Sequence, residues 1–204
     1  MISIAQESLE GRLAARVVLV ASDRADAPGL QAARRLGMET RALEPTSGSD
    51  RAAFETLLGA ALFSCTPDLV VLAGFMRVLS GEFVARFAGR MLNIHPSLLP
   101  KYRGLHTHRR VLAAGDHEHG ASVHYVTAEL DGGPVVLQSR IAVKPDDTEA
   151  SLAARVLRTE HVIYPRVIGW IAAGRLHWHE GQPVLDGQRL NQPVVEDMSA
   201  YVAP

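Results

Sequence analysis

A single cysteine, Cys65, stands among 204 residues, which excludes a disulfide framework and fits a reducing compartment. An excess of one charge is missing too: 21 basic residues are interspersed with 22 acidic ones, for a formal net charge of −1. That balance gives neither nucleic acid nor a membrane surface an electrostatic footprint. No apolar run approaches the length of a bilayer span. The opening Met-Ile-Ser-Ile-Ala-Gln-Glu lacks the basic flank and apolar block of a signal peptide. Repeats, linkers and low-complexity segments are absent, so one domain is expected over residues 1–204. The glycines around Gly74 and at Gly132-Gly133 lack the spacing of a dinucleotide loop or a P-loop. No strained Gly-x-Ser-x-Gly turn surrounds Ser97, so serine attack has little support. The expectation is a soluble cytoplasmic protein, monomer or homodimer.

What is present is alternation. Ile2 to Leu9 reads as a helix ended by Gly11. Ala15 to Ala21 is a continuous apolar run of the kind buried on both faces of a sheet. A helix from Pro28 to Gly37 and a short strand from Glu39 to Leu43 follow. Ser49 or Asp50 can cap a helix running to about Phe63, with Cys65 read as core. Pro67 to Phe75 is a second buried strand, breaking at Gly74. Ser80 opens a helix ended near Gly89, a strand carries Asn93 and His95, and a helix covers about Leu105 to Ala114. After Gly120 the runs from Ala121 to Thr127 and Val135 to Val143 alternate, as a hairpin does. A long helix from Asp146–Glu149 to Gly174 contains Pro165, which predicts a kink or interruption. Leu176 to Leu190 holds two strand-like pieces, and the last residues read as a loose tail. The pattern predicts an α/β fold: a doubly wound, mostly parallel sheet with an antiparallel C-terminal part.

The chemistry concentrates at Met91-Leu-Asn-Ile-His-Pro96. Asn93 and His95, two apart on a strand, share one face, and Pro96 ends the strand just beyond them. In an open α/β sheet that carboxyl end is where ligands bind. An amide donor beside a group that moves protons near neutral pH can hold and protonate an oxyanion. Three His-x-His pairs, at 106/108, 117/119 and 177/179, invite a metal. They lack a completing Cys or carboxylate at ligand spacing and read as solvated surface histidines, with no metal expected. Asp131 in Asp-Gly-Gly is first a turn residue; beside His95 it would orient the imidazole and pass protons.

Leu92-Asn-Ile-His-Pro-Ser-Leu-Leu-Pro-Lys-Tyr-Arg-Gly-Leu-His-Thr-His108 closely resembles the signature of the phosphoribosylglycinamide formyltransferases. The likeness continues through Asp68 to Arg77, His119 to Thr127, Leu130 to Val135, Glu160 to Pro165 and Leu185 to Arg189. It implies a Rossmann-like formyltransferase fold and formyl transfer from 10-formyltetrahydrofolate to glycinamide ribonucleotide. It implies Asn93, His95 and Asp131 as the catalytic trio. The folate would be held by Met76, Arg77, Val78, Leu79, Thr127, Ala128, Glu129, Leu130 and Asp131, with Asn93, and Arg51 would meet its glutamate tail. Gly74, Pro96, Leu157 and Glu160 would bind the nucleotide, Glu160 at the ribose. Two departures stand out. The family's phosphate loop after a first strand is absent, and Leu157 stands where many relatives carry a polar residue. The resemblance thus implies a first strand between Val17–Ala21 and Leu69–Ala73, a natural start roughly 20 residues earlier, and weak nucleotide binding. Alternatives are a 10-formyltetrahydrofolate hydrolase, with the same Asn-x-His and Asp pattern, and a folate-binding fragment without transferase activity.

Overall fold

The structure, a computed structural model, describes residues 1–45 and 50–202. Three of its helices begin where a side-chain oxygen takes otherwise unpartnered amides. Asp50 accepts from Ala52 at 2.9 Å and Ala53 at 3.2 Å, opening α3 (Arg51–Cys65). The alternative cap, Ser49, lies outside the described residues. Ser80 accepts from the Phe83 amide at 3.1 Å and opens the short α4 (Gly81–Ala85). Thr148 and Ser151 cap each other reciprocally at the head of α6 (Glu149–Ala172). The remaining helices are α1 (Ile2–Leu9), α2 (Pro28–Arg35) and α5 (Thr107–Ala114).

The strands are β1 (Val20–Ser22), β2 (Thr40–Ala42), β3 (Val70–Leu72), β4 (Met91–His95), β5 (Glu118–Tyr125), β6 (Val135–Ala142), β7 (Leu176–His179), β8 (Gln182–Leu185), β9 (Gln188–Arg189) and β10 (Val194–Asp197). A five-stranded sheet has the order β10-β6-β5-β4-β3. Its β3–β4 and β10–β6 ladders are parallel and its β4–β5 and β5–β6 ladders antiparallel. A separate parallel pair, β1–β2, and a small antiparallel sheet, β7-β8-β9, complete the set. Alternation along β3 and β4 divides the core between the sheet's faces. Val70, Leu72 and Met91 pack with Phe54, Leu58 and Phe83 of α3 and α4. Val71 and Leu92 pack with Val156, Ile163 and Val167 of α6.

The structure departs from the sequence reading in particular places. The predicted strand from Ala15 enters a ladder only at Val20, because its parallel partner is confined to Thr40–Ala42. Among the described residues β1 and β3 share no ladder. Val17, Val18, Leu19, Val71 and Ala73 are accordingly half-buried, not enclosed. Pro165 does not interrupt α6. It loses one backbone bond, while Ile163 and Val167 beside it are fully buried and hold the helix to the sheet. The tail is not loose: β10 pairs with β6, and Met198 and Val202 behind it are buried. Cys65, read as core, is half-buried at the last turn of α3, where its thiol donates to the Ala61 carbonyl at 3.4 Å.

Candidate active site

β4 runs between parallel β3 and antiparallel β5, so its polar residues meet partners from both sides. Asn93 lies opposite Leu72 on one side and His124 on the other, and His95 lies opposite Ser122. The carbonyls of Leu72 and Leu92 share the hydroxyl of Tyr164 from α6, at 2.8 and 3.0 Å. This clamp ties both strands to the helix one residue before Asn93.

Beyond Pro96 the chain forms a strap held from beneath. Ser97 donates to the Lys101 carbonyl at 2.7 Å, and Ser122 donates to the Ser97 carbonyl at 2.6 Å. Gln138 donates to the Leu99 carbonyl at 2.8 Å. At Tyr102 the backbone enters the left-handed region, with φ of 56°, which is uncommon for an aromatic residue. That turn brings the Tyr102 carbonyl to His95 Nε2, which donates to it at 2.9 Å. Two residues on, the Gly104 amide donates to Asp131 Oδ2 at 2.9 Å.

Asp131 closes the cluster. Its Oδ2 lies 3.4 Å from His95 Nδ1 and its Oδ1 lies 3.7 Å from His124 Nε2, with all three side chains buried. An imidazole with protons on both nitrogens thus finds an oxygen facing each. The carboxylate sits in a left-handed turn, with φ of 48°, a conformation aspartate tolerates better than most residues. The turn is also tight: a Cβ at Gly133 would lie 1.9 Å from the Tyr125 carbonyl oxygen, so no side chain fits there. The turn reading of Asp-Gly-Gly holds, and the same turn sets the Asp131 carboxylate beside His95.

The segments expected to flank the trio form adjoining walls. Met76 and Val78 are exposed and Leu79 buried. Gly81 approaches the 127–131 turn so closely that a Cβ there would lie 3.2 Å from Ala128 Cβ. Thr127 is half-buried, Ala128 and Leu130 are exposed, and Glu129 pairs with Arg103 of the strap. Arg77 turns aside: its guanidinium donates to Asp23 at 2.7 Å and lies 4.7 Å from the Phe54 ring centroid. Gly74, exposed with φ of 65°, follows the end of β3, and Pro96 is half-buried next to His95. Arg51 is exposed at the opening of α3. It precedes by one turn Glu55, whose carboxylate accepts from the Ser80 amide and hydroxyl, so this face of α3 borders the 76–80 segment. On α6, Glu160 lies one turn before Tyr164, and burial pushes its carboxyl up to about 7. Leu157, a turn further back, is exposed.

Two histidine findings change the sequence reading. His119, expected on the surface, is 1% exposed, and its Nε2 lies 3.0 Å from His108 Nδ1. Burial, then the neighbouring His108, lowers the His119 pKa to about 4. Two of the three His-x-His pairs are thus crossed, His108 of the first meeting His119 of the second between α5 and β5. His124 was missed as a site residue. Strand alternation puts it on one face with Ser122, but only the β4–β5 ladder sets it beside Asn93. Among the described residues no group of three His, Cys, Asp or Glu side chains converges as a metal site. No helix among them is long and apolar enough to cross a membrane.

A sheet edge with amide, imidazole and carboxylate converging belongs with the formyl-transfer enzymes: the chain is a member of the formyl transferase family, whose sequence model matches residues 2–168. Its relatives there include phosphoribosylglycinamide formyltransferases. It is 56% identical over 171 residues to the one from Escherichia coli, covering 84% of this chain and 81% of that protein. It is 42% identical over 180 residues to the Haemophilus influenzae protein, covering 88% and 85%. The solved phosphoribosylglycinamide formyltransferase of Coxiella burnetii, a complex with CHES, superimposes with a TM-score of 0.89 at 46% identity, covering 95% of this chain and 92% of that one. The fold is thus the α/β formyltransferase fold.

Proposed function

We propose that this protein transfers the formyl group of 10-formyltetrahydrofolate to the primary amine of glycinamide ribonucleotide, a step of purine synthesis, as one cytoplasmic domain. The observation that carries the reading is the convergence of Asn93, His95 and Asp131 at the carboxyl end of β4. The neutral amine attacks the formyl carbon, a new carbon–nitrogen bond forms, and the carbonyl oxygen becomes an oxyanion. The Asn93 amide donates to it, and the Nδ1–H of His95, whose contact with Asp131 is long at 3.4 Å, is shared between that carboxylate and the oxyanion; such contacts are worth about 3 kcal/mol each when preorganised. Tyr102 holds the opposite ring nitrogen, so the imidazole keeps one orientation throughout. Asp131 stabilises the imidazolium and relays the amine's proton to the folate nitrogen as the old carbon–nitrogen bond breaks. The scheme draws on protein side chains alone.

The pterin would lie between the Met76–Leu79 segment and the turn from Thr127 to Asp131, with Arg77 contributing its backbone. Exposed Met76, Val78 and Leu130 suit an apolar ring system. Arg51 would meet the glutamate tail, and Gly74, Pro96, Leu157 and Glu160 the nucleotide. The test is an assay of purified protein with formyl-folate, with and without glycinamide ribonucleotide. Amine-dependent turnover is expected. Turnover with water alone would make it a hydrolase, and folate binding without turnover would leave a binding fragment.

A further inference from the structure

Directly across the β4–β5 ladder from Asn93 stands a buried histidine that the scheme above does not use. His124 is 2% exposed. The β5–β6 register shifts between Val123 and His124, a bulge of the kind that re-aims a side chain. Both its ring nitrogens have defined neighbours. Nδ1 lies 2.9 Å from the Tyr125 carbonyl oxygen, which can only accept, so Nδ1 carries a proton. Burial lowers the pKa of this histidine; the Tyr125 bond and the Asp131 carboxylate oppose that, and His95 and Arg103 reinforce it. The ring is therefore neutral, and Nε2 presents a lone pair. The atom 3.2 Å from Nε2 is the Asn93 side-chain nitrogen, which donates to it.

We infer that His124 is a positioning residue for Asn93: by accepting one amide hydrogen at Nε2 it fixes which end of the carboxamide faces the cleft and leaves the second hydrogen for the reacting oxygen. This deepens the formyl-transfer reading and rests on it. A carboxamide has two nearly isosteric orientations, and only one offers a donor. With Nε2 protonated, the ring would attract the amide oxygen and turn a donor site into an acceptor site, where an oxyanion is repelled.

Two measurements test this. Long-range proton–nitrogen NMR on the folded parent protein at neutral pH should find the His124 proton on Nδ1 and the lone pair on Nε2. A proton on Nε2 would overturn the inference without reference to activity. Steady-state kinetics then compare His124→Leu, which has no acceptor, with His124→Gln, whose amide oxygen reaches the Nε2 position. The leucine variant is expected to lose about 10- to 100-fold in kcat, with both KM values within about 3-fold of the parent. The glutamine variant should recover most of that loss. Equal defects in the two variants, or a leucine variant with parental kcat, would refute the role. A parent without amine-dependent turnover would refute the functional reading instead, and the tautomer would still decide the geometry.

Discussion

Asp131 Oδ2 accepts from the Gly104 amide and faces His95, while its Oδ1 lies 3.7 Å from His124 Nε2, beyond hydrogen-bond reach. Asp131→Asn keeps the shape but removes the charge that balances an imidazolium. Turnover should fall at least ~100-fold with the circular dichroism spectrum unchanged; near-parental turnover would reduce Asp131 to a turn residue. Arg51, exposed at the edge, is expected to act differently. Arg51→Ala should raise the KM for formyl-folate by a few-fold and leave kcat alone, as loss of a ground-state ion contact does. A depressed kcat at unchanged folate affinity would contradict its placement at the tail. At this scale legibility followed distance along the chain. Asn93 and His95 were legible because strand period and Pro96 are local signals. His124 and the His108–His119 contact were not, because their meaning is created across the β4–β5 ladder and between α5 and β5.

Among the elements, α6 is anchored at its head by a buried ion pair. Arg155 donates to Asp147 at 2.5 Å and to the Ala142 carbonyl at 2.8 Å, binding the helix to the end of β6. Both side chains are at most 8% exposed, so removing one partner strands the other charge. Asp147→Ala should cost about 3–5 kcal/mol in urea unfolding, and a loss below about 1 kcal/mol would mean that water reaches the arginine. Helices were the most legible elements, because caps such as Asp50 and Ser80 are written in a few adjacent residues. β10 was illegible: Val194-Val-Glu-Asp197 is short, and its partner β6 lies far back in the chain. The full length of β1 was over-read, since apolar β-branched residues announce a strand but not whether a neighbour is there to pair with it.

Two titrating groups, buried His119 and half-buried Glu160, set opposing demands on the molecule as a whole. His119, lowered to about 4, binds fewer protons folded than unfolded; its contribution is full above about 6.5 and is lost as pH falls toward 4. Glu160, raised to about 7, binds more protons folded; its contribution is full below about 4.5 and is lost as pH rises through 7. Between about pH 4.5 and 6.5 the two slopes oppose each other. Glu160→Gln removes one, so its stability should fall on acidification more steeply than the parent's, by about 1.4 kcal/mol per pH unit. Urea titrations across that window would show it, and parallel curves would mean that Glu160 titrates as an ordinary carboxylate. The mixed sheet carries a further consequence, one of timing. Asn93 and His124 are only 31 residues apart, whereas Arg140 of β6 meets Asp197 at the end of β10 across 57 residues. Short loops close cheaply and distant pairings form late. A chain emerging from the ribosome therefore has its β4–β5 ladder in hand before β10 exists. In native-state hydrogen exchange β10 should open first, the rim of the sheet breathing while the β4–β5 pair behind the cleft stays shut.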